Sequence, residues 1–317
     1  MLKALVSVLL TTGSVALAAT PTVTRTTHTF KRVGSLEIKA DVHRLDDRDV
    51  RPAVVYIHGG ALINGGRERI GKHLEQLVKE GVVVVSIDYR LAPESKLPAI
   101  IEDVEDAFKW LRAEGPKLFH VDPRRIGVWG QSAGGYLTLT TGFRVKPAPR
   151  VLVSVYGYGD LIGEWYSTPS PHPAHHKIKM PEAEARAQVS GAPIANSRDR
   201  KGNGGAFYQF CRQRGIWPYE VSGWDPRRDA AKFFPYMPVK NVTPAYPPTF
   251  MLHGTADTDV PHEQSVMMAA EFRKHRVRHE LVSLPNGEHG FGGADPVLVE
   301  KAHQDAIAFV KKHLGLR

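Results

Sequence analysis

The stretch RIGVWGQSAGGYL, residues 125–137, decides the fold. It contains the pattern G-x-S-x-G at residues 130–134, centred on Ser132, between an apolar run at 125–129 and a segment suited to a helix. A strand, a sharp turn and a helix in this order form a nucleophile elbow, which exposes the serine hydroxyl above a sheet. The turn also places the serine at a helix N-terminus, where the helix dipole favours developing negative charge. We therefore predict that Ser132 is a nucleophile.

A serine hydroxyl becomes a nucleophile only when a base takes its proton, and an acid must hold that base. The elbow predicts the chain order serine, acid, histidine. Asp257 follows a predicted strand at 249–252, and Asp259 is its rival two residues on. His289 lies between glycines after a predicted strand at 280–284. These placements predict His289 as the base, and they leave the two aspartates open as the acid.

A glycine-rich segment follows the predicted strand at 53–57 and reads His58-Gly59-Gly60-Ala61. Backbone N–H groups that point at a developing oxyanion stabilise it, and glycines leave such groups uncovered. We predict that Gly59 and Gly60 form an oxyanion hole together with the N–H of Ala133. An ordinary glycine turn is the alternative.

Strand and helix patterns alternate along most of the chain, and several apolar runs suit strands that are buried on both faces. This alternation predicts an α/β fold with a mostly parallel sheet and helices on both faces. Predicted strands lie at 27–44 (two strands around Gly34), 53–57, 82–87, 125–129, 151–156, 249–252 and 280–284. Predicted helices lie at 68–80, 98–111, 135–139, 262–275 and 297–314.

Residues 161–246 break this alternation and are rich in proline, glycine, arginine and aromatic residues. Long connections in compact domains are often lids over a site, so we predict an inserted lid here, with a peripheral helical patch as the alternative. Five aromatic residues of this segment either line an acyl or sugar pocket or form its own core: Tyr208, Phe210, Trp217, Tyr219 and Trp224.

The composition excludes several classes of protein. Of the 317 residues, 42 are lysine or arginine and 33 are aspartate or glutamate, which gives a net charge of +9 without a basic stripe. We therefore expect no nucleic-acid partner. The single cysteine, Cys211, excludes an intrachain disulfide and a cysteine-based metal centre. Three histidines lie in a proline-rich stretch without acidic or cysteine ligands at metal spacing, so we predict a solvated loop and no metal site: His172, His175 and His176.

The first residues have the pattern of a secretory leader. Lys3 precedes an apolar stretch, and the small residues at 16–18 suit a signal peptidase. We predict a signal peptide at 1–18 and an exported domain at 19–317, secreted or periplasmic. The apolar stretch is too short to span a bilayer, so we expect no stable membrane anchor. A frayed N-terminal helix is the alternative.

Taken together, these motifs resemble those of α/β-hydrolases of the esterase and lipase group, which includes hormone-sensitive-lipase-like and acetyl- or feruloyl-esterase-like enzymes. The resemblance covers residues 51–156 and 247–314. Its matching residues are His58-Gly59-Gly60, the stretch DYRLAPE at 88–94, GQSAGG at 130–135, His253-Gly254 with Asp257 and Val260-Pro261, and His289-Gly290-Phe291.

The resemblance implies an α/β-hydrolase fold with a Ser132, Asp257 and His289 triad. It favours Asp257 over Asp259 through the spacing H-G-x-x-D-x-x-V-P. It also assigns the oxyanion hole to Gly59, Gly60 and Ala133. It implies a cofactor-free carboxylesterase that acts through an acyl-enzyme on a small or polymer-borne ester. An amidase or peptidase on the same triad, or a binding protein that keeps only the fold, are the alternatives.

Two positions depart from the family pattern. Ala61 replaces the usual third glycine, and Gln131 stands where aspartate is common. In addition, few residues precede the first predicted strand, so the insertion at 161–246 would have to serve as the cap. The substrate preference of the family therefore does not carry over to this chain.

Overall fold

One sheet of eight strands organises the chain, in the order β1-β2-β4-β3-β5-β6-β7-β8. The computed structural model describes residues 22–316, so the leader predicted at 1–18 lies outside the described residues. The strands are β1 (Val23–Val33), β2 (Leu36–Leu45), β3 (Arg51–Ile57), β4 (Val83–Ile87), β5 (Val121–Gln131), β6 (Val151–Val155), β7 (Thr249–Gly254) and β8 (His279–Leu284).

The sheet is mostly parallel, as the sequence predicts. β1 pairs antiparallel with β2, and β2 pairs antiparallel with β4. All remaining pairs, from β4 through β3 to β8, are parallel. Every residue of β4, β6 and β7 is buried, because helices cover both faces of the sheet at these strands. The parallel arrangement brings the loops after β3, β5, β7 and β8 to one edge of the sheet.

Two apolar layers hold the helices against the sheet. One layer contains the buried faces of α1 and α10, and the opposite layer contains those of α2, α3 and α9 together with much of the insertion. The helices are α1 (Lys72–Lys79), α2 (Leu97–Phe119), α3 (Ala133–Arg144), α4 (Glu164–Ser167), α5 (Glu182–Ala187), α6 (Gly205–Arg214), α7 (Trp217–Ser222), α8 (Ala230–Phe233), α9 (Glu263–Lys274) and α10 (Pro296–Leu314).

Three predicted helices have wrong boundaries, and one of them, predicted at 135–139, spans Ala133–Arg144 in the structure. The helix predicted at 68–80 begins only at Lys72, because Gly71 has a φ of 75°, outside the helical range. The helix predicted at 98–111 continues to Phe119 through Pro116. A proline removes one backbone hydrogen bond, and the buried residues Gly115 and Phe119 around it keep the end of the helix packed.

The segment between β6 and β7 holds the five helices α4 to α8. Its interior is an aromatic cluster in which Tyr166 stacks on Trp165 and on Trp217, with ring centroids 3.8 and 4.0 Å apart. α7 also contacts α2, so this segment packs against a helix that covers the sheet. Within residues 22–316, none of the helices combines the length and the apolar character that crossing a bilayer requires.

Candidate active site

The turn between β5 and α3 holds Ser132 in a strained conformation. Its φ is 55° and its ψ is −124°, a region that non-glycine residues rarely occupy. The motif glycines are required by close contact. A Cβ on Gly130 would overlap the carbonyl oxygen of Gly134, and a Cβ on Gly134 would overlap that of Ile57. The backbone at residues 130–134 therefore forms the predicted nucleophile elbow.

Three predicted side chains meet at the carboxyl edge of the sheet. His289, on the loop after β8, has its Nε2 atom 3.0 Å from the Ser132 Oγ atom. Its Nδ1 atom lies 2.8 Å from Oδ2 of Asp257, on the loop after β7. Because a carboxylate only accepts hydrogen bonds, Nδ1 carries the ring proton and Nε2 is free to accept the hydroxyl proton of Ser132. The structure thus joins serine, histidine and aspartate into one hydrogen-bonded array.

Asp257, and not Asp259, contacts the Nδ1 atom of His289. The Asp257 side chain is fully buried, and its Oδ1 atom accepts hydrogen bonds from the backbone amides of Asp259 and Val260, each at 2.9 Å. The Nε2 atom of His253 lies 3.3 Å from Asp257 Oδ2. Asp259 instead approaches the opposite ring nitrogen of His289, at 3.8 Å.

The two partners shift each other's pKa in opposite directions. Burial opposes the charged form of His289, but the hydrogen bond to Asp257 and the charges of Asp259 and Asp257 outweigh it and raise the pKa above its ordinary value. Burial also opposes the charged form of Asp257. The hydrogen bonds from His253 and His289 outweigh that effect and hold the pKa of this carboxyl far below its usual range. Asp257 is therefore ionised beside the imidazole at neutral pH.

The predicted oxyanion residues lie beside the serine. Gly59 and Gly60 line the same cavity as Ser132, and Ala133 is the first residue of α3, whose N–H has no partner within the helix. The side chain of His58 fixes the loop after β3. Its ring stacks on Tyr89 with centroids 4.3 Å apart, and its Nδ1 atom donates to the Gly59 carbonyl at 2.7 Å.

His58 belongs to the support of this loop and not to the acid–base chemistry. Burial lowers its pKa to about 4, so the ring is neutral at physiological pH. The hydroxyl of Tyr89 donates to the His58 carbonyl at 2.9 Å and reinforces the same turn. A second support comes from the insertion, because the indole Nε1 of Trp217 donates to the Ala61 carbonyl at 2.9 Å.

An open cavity of about 470 Å³ lies over Ser132 and His289. Its walls carry many polar groups, and its base is formed by the elbow and the glycine loop. The other residues that line it are Tyr56, His58, Gly59, Gly60, Ala61, Asn64, Gly65, Gly66, Arg69, Gln131, Tyr156, Tyr208, Asp259 and Gly290.

Of the five aromatic residues predicted for the substrate pocket, only Tyr208 lines this cavity. Phe210 and Trp217 are buried in the core of the insertion, which was the alternative for this group. Trp224 packs on Phe233, with ring centroids 5.4 Å apart, and Tyr219 is exposed. The pocket interpretation is therefore wrong for these four residues: the rings of Phe210, Trp217 and Trp224 pack within the insertion, and Tyr219 lies on its surface.

The histidine stretch also needs a correction. His172 is half-buried and His176 is exposed, but His175 is buried, with its Nε2 atom 3.4 Å from Oδ1 of Asp259. The side-chain amide of Gln213 donates a hydrogen bond of 2.7 Å to the backbone carbonyl of His175. The solvated-loop prediction thus fails for His175. Over residues 22–316, no group of three or more histidine, cysteine, aspartate or glutamate side chains is arranged to hold a metal ion.

Sequence reasoning missed several cavity residues, among them Asn64, Arg69 and Tyr156. Tyr156 ends the run predicted as a strand at 151–156, but it takes a φ of 37° and leaves the strand, so its ring lies 4.5 Å from that of His289. An aromatic residue just beyond a buried strand was the only available signal. Asn64 and Arg69 have no motif that could mark them.

A strained serine, a carboxylate-held histidine and a glycine loop on a mostly parallel sheet define the class of α/β-hydrolases. Residues 54–292 match the sequence profile of the family Abhydrolase_3, described as alpha/beta hydrolase fold. This match covers well over half of the chain, and the chain belongs to that family.

Similar proteins include esterases. Esterase LipC of Mycobacterium tuberculosis is 28% identical over 268 residues, which cover 79% of this chain and 56% of LipC. The non-reducing polyketide synthase Preu3 of Preussia isomera is 25% identical, but the chain spans only 12% of its length. A butyrate-bound structure of Thermogutta terrifontis esterase 2 has a TM-score of 0.65 and 21% identity, covering 91% of this chain and 94% of that one.

Proposed function

We propose that this protein is a serine esterase that hydrolyses carboxylic esters through an acyl-enzyme. The hydrogen-bonded array of Ser132, His289 and Asp257 at the base of an open cavity carries the proposal. The family membership and the esterases among its relatives support it.

In the first step, Ser132 Oγ attacks the ester carbonyl carbon and His289 Nε2 takes the hydroxyl proton. His289 then gives this proton to the leaving alcohol oxygen, and the carbon–oxygen bond of the ester breaks. In the second step, His289 takes a proton from water, the resulting hydroxide attacks the acyl carbon, and Ser132 leaves with the proton. Asp257 stabilises the imidazolium that forms in both steps.

The oxyanion of each tetrahedral intermediate would accept hydrogen bonds from the amides of Gly59, Gly60 and Ala133. Such donors contribute most when they are fixed before the reaction. His58 and Trp217 supply that rigidity, since each bonds a carbonyl of the glycine loop. Apart from the ester and water, the chemistry that we propose uses only groups of this chain.

The test is hydrolysis of short-chain p-nitrophenyl esters by the purified protein. We expect turnover by the wild type and loss of turnover in Ser132→Ala. Ser190→Ala is the matched control, because Ser190 is an exposed serine of the insertion. Wild-type protein without activity on these esters, or Ser132→Ala with more than a small fraction of wild-type activity, would contradict the proposal. A p-nitroanilide of the same acyl group, assayed in parallel, separates an esterase from an amidase.

We also propose that the protein is exported, on the pattern of residues 1–18 alone. The test is expression with its native leader, followed by sequencing of the N-terminus of the secreted or periplasmic protein. A new terminus near Ala19 is expected, and full-length protein that stays in the cytoplasm would contradict the prediction.

A further inference from the structure

Asp259 presents a carboxylate oxygen to the reaction centre without serving as the acid of the array. Its Oδ1 atom accepts a hydrogen bond from the Tyr208 hydroxyl at 2.6 Å. Its Oδ2 atom accepts no hydrogen bond from residues 22–316 and lies 3.8 Å from Nε2 of His289. Asp259 lines the cavity together with Tyr208, and about a fifth of its side chain is exposed. This oxygen is therefore fixed in direction and open to a substrate.

The charge of Asp259 already has a counter-charge inside the protein. The buried side chain of Arg212 lies behind it, with Nε 3.8 Å from Oδ1 and an Nη2 hydrogen bond of 3.1 Å to the Asp259 carbonyl. The Nε2 atom of His175 lies 3.4 Å from the same Oδ1. A carboxylate compensated in this way favours a neutral hydrogen-bond donor over a second cation, because a cation would also face Arg212.

The position of the Asp259 Oδ2 atom determines where the hydrogen-bond donor of the substrate must lie. In the proposed reaction His289 Nε2 donates its proton to the oxygen of the leaving alcohol. This oxygen must therefore come within hydrogen-bond distance of Nε2. Oδ2 lies beside the same nitrogen. A hydroxyl on the carbon next to the ester-bearing carbon is the donor that can reach Oδ2 while the ester oxygen stays at Nε2.

We propose that Asp259 determines specificity by accepting a hydrogen bond from a free hydroxyl adjacent to the ester, so that the preferred substrates are monoesters of vicinal diols, polyols or carbohydrates. This inference rests on the proposed esterase function. Tyr208 acts as a positioning residue, since its hydroxyl fixes Oδ1 and so directs Oδ2 into the cavity.

The test uses two acetates of nearly the same shape, 2-hydroxyethyl acetate and propyl acetate, which differ by a hydroxyl in place of a methyl group. The measured quantity is the ratio of kcat/KM for the first ester to that for the second. Dividing this ratio in a variant by the wild-type ratio cancels the intrinsic reactivity of the two esters. A hydrogen bond to a charged acceptor predicts that Asp259→Asn lowers the ratio about tenfold or more.

Two further variants sharpen the comparison. Tyr208→Phe keeps the carboxylate of Asp259 but removes the hydrogen bond that fixes its orientation. The ratio should therefore fall by a smaller factor than in Asp259→Asn. Asp305→Asn makes the same chemical change on the partly exposed surface of α10, where Asp305 pairs with Lys301, and should keep the wild-type ratio. Activity on propyl acetate also reports that each variant is folded.

The outcomes separate this inference from the function on which it rests. A wild type that cleaves neither acetate and no p-nitrophenyl ester contradicts the esterase function, and the inference fails with it. If the wild type cleaves both acetates and Asp259→Asn leaves the ratio unchanged, whether or not both activities fall, only the inference is overturned. A third substrate, 2-(dimethylamino)ethyl acetate, carries a cationic donor at the same place. Its preference over 2-hydroxyethyl acetate would overturn the choice of a hydroxyl.

Discussion

The indole Nε1 of Trp217 donates a hydrogen bond of 2.9 Å to the carbonyl oxygen of Ala61, a residue 156 positions earlier in the chain. Ala61 follows the two glycines of the predicted oxyanion hole, and it has a φ of 55°. The insertion between β6 and β7 is therefore bonded directly to the loop that faces Ser132. This contact makes the insertion part of the support of the active site.

Trp217→Phe should reduce both stability and turnover. The change keeps an aromatic ring but leaves the buried Ala61 carbonyl without its donor, which costs about 1–3 kcal/mol of unfolding free energy. Urea denaturation and kcat on a p-nitrophenyl ester measure the two effects. Trp224→Phe, at a half-buried indole of the same insertion, is the control. Equal losses in the two variants would show that the bond to Ala61 has no particular role.

The glycines of the elbow should not tolerate a methyl group. Gly134→Ala would push a Cβ into the Ile57 carbonyl, and overpacking of this kind costs about 1–3 kcal/mol or more. Gly191→Ala is the matched control, because nothing lies within 4 Å of a Cβ there. Thermal denaturation of both variants measures the difference. A Gly134→Ala protein as stable as Gly191→Ala would contradict the packing of the elbow described above.

The two aspartates near His289 should differ in their effect on kcat. Asp257→Asn replaces the carboxylate at Nδ1 with an amide and favours the wrong tautomer, so kcat should fall by about a thousandfold or more. Asp259→Asn should lower kcat on an ester without a neighbouring hydroxyl by a much smaller factor, since Asp259 contacts the other nitrogen. The assignment of the acid is wrong if Asp259→Asn has the larger effect.

The pH profile should report the titration of His289. Its pKa is raised above the ordinary value of about 6.5, and only the neutral ring can accept the Ser132 proton. The acid limb of kcat/KM should therefore have its midpoint above about pH 6.5, with the slope of one proton. A profile that stays level down to about pH 5 would exclude a histidine base.

Asp259→Asn should move this acid limb. The negative charge of Asp259 favours the protonated ring, so its removal lowers the pKa of His289 and shifts the midpoint to lower pH. Asp305→Asn makes the same chemical change on the surface of α10, where Asp305 pairs with Lys301. It serves as the control and should leave the midpoint of the acid limb unchanged. A shift to higher pH in Asp259→Asn would contradict the sign of this interaction.

The sequence alone predicted those features that short-range patterns encode. The elbow around Ser132 and the alternation of strands and helices depend on neighbouring residues, and both are present in the structure. The strand before Asp257 and the strand before His289 also fixed which edge of the sheet each residue would reach.

The remaining features depend on contacts between distant segments. The residues alone could not choose between Asp257 and Asp259, because the choice depends on which ring nitrogen of His289 each carboxylate meets. Composition could not tell that Trp217 is buried while Tyr208 lines the cavity, since both lie in the same aromatic-rich insertion. The burial of His175 beside Asp259 likewise had no local signal.

The central claim is that His289 activates Ser132 as a nucleophile, and covalent labelling tests it most directly. The purified protein is treated with a fluorophosphonate, which reacts only with activated serines, and the adduct is located by peptide mass spectrometry. We predict one adduct per chain, on Ser132, absent in Ser132→Ala and formed far more slowly in His289→Ala. An unlabelled wild-type protein, or an adduct on any other residue, would contradict the account.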